Sequence, residues 1–193
     1  MKTIETMMTT TAAFSDDGLK RYSLCKVWDD SKPKLAIIML APSEASGIEM
    51  DTTTQLVLNN AVRLGYGCVT TLNLFSTLGD YDLKRAEAED ADNLKSIITC
   101  AEGADEVIYA AGVGKAKNKA FIRRQQQVLD SLRPYESKLR CLTNQGGRAR
   151  FQHPLSPAVR TWYLSPFQVS ELIGNPEVEE ATKESKKKRT VKT

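Results

Sequence analysis

Few residues in this chain have side chains suited to chemistry. Its single histidine, His153, lies in "FQHPLSP" at 151–157, where prolines on the C-terminal side prevent regular structure. Such an imidazole is either an idle surface group or a donor of a hydrogen bond to developing negative charge. Asn73, in "TTLNLFST", ends an apolar run. It either caps a strand end or offers its amide, donor and acceptor together, to the edge of a nucleobase. "GVGKAKNK" sets glycines ahead of Lys115, and "NQGGRAR" sets Gly146 and Gly147 ahead of Arg148 and Arg150. Both are either solvated loops or places where backbone and cations meet a phosphate. The spacing of a P-loop is absent.

The elements that must position these residues follow from hydrophobic periodicity. "FSDDGLKRYSLCKVWDD" has a D-G turn signal and then alternation, which predicts an N-terminal hairpin or edge strand. "LAIIML", "CVTTLNLF", "EVIYAAG" and "KLRCLT" read as buried strands. Between them lie helices: one capped by Asp51, one over about 83–102, and "KAKNKAFIRRQQQVLDSL". Strand–helix alternation of this kind predicts an α/β fold. The expected form is a three-layer αβα sandwich around a central, mostly parallel four-stranded sheet. "TWYLSPFQVSELIG" would add a short capping helix. Residues 14–174 form one domain in this reading, preceded by a flexible segment 1–13 and followed by a disordered charged tail 175–193. Ligands of such sheets bind outside the carboxyl ends of the strands, and the loops carrying His153, Asn73, Lys115 and the arginines all leave those ends.

Composition narrows the classes of function. Formal net charge is +3, of which the tail supplies +2 through six basic and four acidic residues. Bulk charge therefore does not draw the body to nucleic acid, and any contact needs a local patch. The four cysteines, Cys25, Cys68, Cys100 and Cys141, form no C-x-x-C pair. With one histidine, no zinc or iron site is expected, nor any cofactor. No apolar run reaches membrane-spanning length and the first residues do not read as a signal peptide, so a cytoplasmic protein without membrane contact is expected.

Taken in order, "MLAPSEA", "TTLNLFST", "YAAGVGKA" and "FQHPLSP" resemble the four strand-end motifs of the uracil-DNA glycosylase superfamily, over 35–157. The same residues are still more similar to an uncharacterised bacterial and phage family, DUF1643, with an M-L-N-P-S-x-A, N-L-F and H-P-L signature. The glycosylase resemblance implies a base drawn out of DNA and hydrolysed from its sugar without metal. It implies that Asn73 bonds the base edge and that His153 stabilises charge on a base oxygen. Pro42 and an aromatic floor, Phe75, would border the base. Ser43 and Ser156 would press on the phosphates, beside Lys115, Arg148 and Arg150.

One position departs from that pattern. Where glycosylases carry Asp or Asn before the first proline, this chain has Ala41. Loss of a positioned acid–base group typically costs 10²–10⁴ in rate. Asp51 replaces it only if the loop folds back, and Glu44 only if it reaches inward. Two readings follow: a glycosylase-like enzyme on a modified or damaged base, or an inactive binder of nucleic acid, nucleotide or a host factor on the same scaffold. Oligomeric state stays open.

Overall fold

The computed structural model describes residues 1–43, 47–79, 90–112 and 118–173. Among the described residues seven strands make one sheet: β1 (Thr9–Phe14), β2 (Arg21–Val27), β3 (Lys34–Met39), β4 (Cys68–Asn73), β5 (Glu106–Tyr109), β6 (Leu139–Thr143) and β7 (Tyr163–Pro166). Their spatial order is β1-β2-β4-β3-β5-β6-β7. β3 runs parallel to β4 and to β5, and β5 runs parallel to β6. The β1–β2, β2–β4 and β6–β7 ladders are antiparallel.

Alternation along β3 divides the core. Leu35, Ile37 and Met39 face helix α1 (Thr52–Arg63), joining Val57, Ala61, Val69, Ile108, Leu142 and Trp162. Ala36 and Ile38 face the opposite way, toward α2 (Ala91–Gly103) and α3 (Lys119–Ser131), with Ile97, Ala101, Phe121, Val128 and Leu129. β3 is buried on both faces, which explains its uninterrupted apolar run. Each helix starts at a polar cap. Asp51 accepts from Thr54 N, Asp90 from Asn93 N, and Asn118 from Phe121 N.

The expected α/β class is present, but the sheet is not the expected one of four mostly parallel strands. It has seven strands, and three of its six ladders are antiparallel. The strands beyond those four are the N-terminal hairpin, which was expected, and β7, which was not; each has a local cause. β1 and β2 form a hairpin around Asp17–Gly18, with Gly18 at φ +70°, so strand begins at Thr9, inside the segment expected to be flexible. "YLSP" returns as β7 beside β6, and only Ser170–Ile173 is helical where a capping helix was expected. The whole tail segment 175–193 lies outside the described residues, as do residues 113–117 with Lys115, and Glu44. Among the described residues no helix is long and apolar enough to cross a membrane.

Candidate functional site

The chain leaves β3 for α1 and β4 on one side of it, then crosses back to β5 on the other. Loops leaving the carboxyl ends of β3 and β5 therefore part in opposite directions, and this switch point is where a crevice for ligands is usual in such sheets. β3 ends at Met39, continued by Leu40, Ala41, Pro42 and Ser43, and β5 is continued by Ala110 to Gly112. Beside β3, Leu74 N donates to Met39 O and Phe75 N to Leu40 O, so the end of β4 stays in register with this loop.

His153 sits over the end of β5. Gly112 has φ +79°, and a Cβ there would stand 3.6 Å from His153 Cβ and 3.8 Å from its backbone N. Glycine at this position thus allows both the left-handed turn and the close approach of the histidine loop. His153 Nδ1 accepts from Leu155 N at 3.2 Å, and Ser156 N donates to His153 O at 2.8 Å. With Nδ1 occupied as an acceptor, the neutral ring carries its proton on Nε2 and has a donor to offer. Burial pushes the imidazole below its usual pKa, and the charge of Asp51 opposes that shift. Two residues earlier, Phe151 takes φ +56°, a strained conformation for a bulky side chain. Its ring is held edge-on to Phe167, 5.1 Å between centroids, and that packing fixes the entry to the histidine turn.

The charge of Asp51 is felt at His153. Burial pushes its carboxyl up, but hydrogen bonds from the Thr54 backbone and hydroxyl and from the Ser43 hydroxyl, with the charge of Arg21, outweigh this. The net shift is downward, so the group is ionised at neutral pH. Arg21 is 3% exposed, and burial pushes its guanidinium below the usual value while Asp51 pulls it up. A β-bulge puts Arg21 there. Ala13 pairs with Ser23 and Phe14 with Arg21, which leaves Tyr22 as the extra residue on β2 and re-aims the strand's first side chain. Sequence reading missed Arg21, because a bulge leaves no mark on simple alternation.

Asn73 ends β4 opposite Met39 on the α1 side of the sheet. It is 2% exposed, and its Nδ2 is buried without a hydrogen-bond partner. Its backbone is fixed from behind. Asn93 Nδ2 donates to Asn73 O and Leu74 O, and Arg124 Nε donates to Leu74 O at 2.7 Å. Both residues lie on helices read from sequence only as amphipathic, so their inward polar groups were not anticipated. A strand-end amide held this firmly and left unsatisfied is costly to fold unless something bonds to it.

The other expected site residues divide into two sets. Pro42 is buried and Ser43 half-buried beside Asp51. Ser156 Oγ donates to Gln152 Oε1 within the histidine turn. Phe75 is 4% exposed within the core on the α2–α3 side and presents little ring surface. Arg150 is engaged elsewhere, donating to Pro166 O and pairing with Glu171 at 3.0 Å. Arg148 is exposed, its backbone N bonded to Asn144 Oδ1. Ser43, Asp51 and Arg21 thus lie together, the charge of Asp51 reaches His153, and Asn73 ends β4 beside Met39. Among the described residues no group of three or more His, Cys, Asp or Glu is arranged to hold a metal ion.

A family model described as a protein of unknown function, DUF1643, matches residues 21–155, from the bulged start of β2 to the histidine turn. No curated protein matches the chain.

Proposed function

The chain belongs to the DUF1643 family, and from that premise we propose that it engages a nucleobase, in DNA or as a nucleotide, in the crevice at the strand ends. In this reading it hydrolyses the N-glycosidic bond of a modified or damaged base. The observation that carries it is Asn73, whose amide is 2% exposed with Nδ2 unpartnered. An amide edge supplies the donor that a base carbonyl needs, and a base is flat enough to enter a crevice between diverging loops. Neutral His153, with its free donor on Nε2, would bond the base oxygen on which charge collects as the bond breaks. Asp51, ionised and beside Ser43 and Arg21, is the residue available to orient water in place of the missing group at Ala41. The four-motif resemblance to uracil-DNA glycosylases agrees with these roles.

Ala41 favours a second reading on the same site: binding of the base or nucleotide, or of a host factor, without turnover. One experiment separates the two. Single- and double-stranded oligonucleotides carrying uracil, hydroxymethyluracil and other altered bases are incubated with the protein and scored for abasic sites. Abasic sites that Asn73→Ala and His153→Ala abolish support the enzyme. Salt-sensitive binding without cleavage, weakened by Asn73→Ala, supports the binder. No cleavage and no binding overturns both. Ala41→Asp should create or raise cleavage if the crevice is a weakened glycosylase pocket.

A further inference from the structure

The two edges of the sheet are unlike. β7 has four residues and ends on Pro166, which has no N–H to offer a further strand, so this edge is short and blocked. β1 at the other edge has six residues, TTTAAF, with no charge and no proline. β2 is paired to one side of it from Thr9 to Phe14, and the extra residue of the bulge falls on β2 rather than β1. β1 therefore presents a regular outer edge. Around it Met7 is 86% exposed, Met8 38% and Phe14 49%. Natural sheets protect such an edge with lysine, proline or a covering element; β1 carries no lysine or proline, and among the described residues no further strand pairs with its outer side.

We propose that β1 pairs antiparallel with β1 of a second copy of this chain, joining two sheets across a two-fold axis normal to them. The choice of a second copy rests on self-complementarity. A two-fold axis of this kind keeps each face on its own side, so residues opposite one another must share alternation parity. Centred on Thr11, this register sets Thr9 against Ala13 and Thr10 against Ala12. One step beyond, it sets Met8 against Phe14 at both ends, a thioether against an aromatic ring. Met7–Phe14 carries no charge, so no like charges meet anywhere in the ladder. An interface this short belongs to the weak, transient class, and the dimer is concentration-dependent. The inference is independent of the nucleobase reading.

Sedimentation velocity of the full chain over a wide concentration range tests it. The mass should rise from 21.4 kDa toward that of two chains. Thr11→Lys places like charges against each other and should weaken association about tenfold or more. Thr11→Glu should do the same, and mixing the two variants should restore the dimer. Thr11 is exposed, so circular dichroism and melting temperature should match the parent. Hydrogen exchange checks the site without mutation, since protection of β1 amides should rise with protein concentration. A chain that stays at 21.4 kDa at several hundred micromolar overturns the proposal, as does a dimer insensitive to both variants or β1 protection that ignores concentration.

Discussion

At the scale of residues, a single histidine is an experimental advantage, because its ring protons give one titrating signal. His153 should titrate below its usual 6.5, since burial disfavours the imidazolium. Asp51→Asn should lower the value further, because the carboxylate is the charge that pulls it up. A proton NMR titration of both proteins checks this, and a value at or above 6.5 in the parent would contradict a buried neutral ring. The sign for stability follows. The folded pKa is depressed, so the histidine's contribution is complete above the unfolded value near 6.5. It is lost as pH falls toward and through the folded one. Asp51, also depressed, contributes above its own unfolded value and loses that contribution at lower pH. Residue types were the most legible part of the site: His153, Asn73, Ser43 and Asp51 all stand out by position in the sequence. Arg21 does not, since its placement depends on one bulged residue. Arg150 stands out and yet turns to Glu171, because an arginine in a loop takes whichever carboxylate the fold brings near.

Elements were legible wherever one periodicity ruled. β3 and the capped helix α1 read directly from an apolar run and an Asp followed by a stripe. β7 and the beginning of β1 did not. Four residues carry too little alternation to register, and a threonine-rich strand with one solvated side has no apolar face. Close contacts between elements are also silent in sequence, and Gly67 is the sharpest case. A Cβ at Gly67, in the turn between α1 and β4, would lie 1.7 Å from Asp29 O and 2.8 Å from Asp29 C. Trp28 N and Asp29 N both donate to Gly67 O, so this backbone is held on two sides. Gly67→Ala should therefore destabilise by about 3 kcal/mol, the cost of forcing a backbone shift. Gly103 ends α2 with open space around it, and Gly103→Ala should stabilise by about 0.5–1 kcal/mol. Urea denaturation midpoints of the two variants check both signs. On the far side of the sheet, Arg124→Met would remove the charge-assisted bond to the Leu74 carbonyl and leave Asn93 Nδ2 as its remaining donor. It should cost about 2–3 kcal/mol and weaken ligand binding together with stability.

For the whole molecule, the order of strands and helices was legible from the chain, because parallel neighbours need crossovers and crossovers have one hand. The number of strands was not, since edge strands answer to pairing partners rather than to burial. Charge is likewise a property of the whole. Outside the tail 175–193 the balance is 21 basic to 20 acidic residues, so a crevice-held nucleic acid gains little from the general field. Binding of a short oligonucleotide should then show a shallow salt dependence, a log–log slope of about −1 to −2, corresponding to one or two phosphates. A much steeper slope measured by titration at several salt concentrations would assign affinity to the lysines of the tail. The proposed crevice also has a consequence in time. The proposed site draws on Arg21, Ser43 and Asp51, Asn73, Gly112 and His153, so the last contributor is synthesised long after the first. A nascent chain can bury much of the sheet before residue 153 leaves the ribosome, but it has no complete site until then. Under the proposed function, ligand binding is therefore expected only after residue 153 has been made, and a ligand does not guide the folding that precedes it.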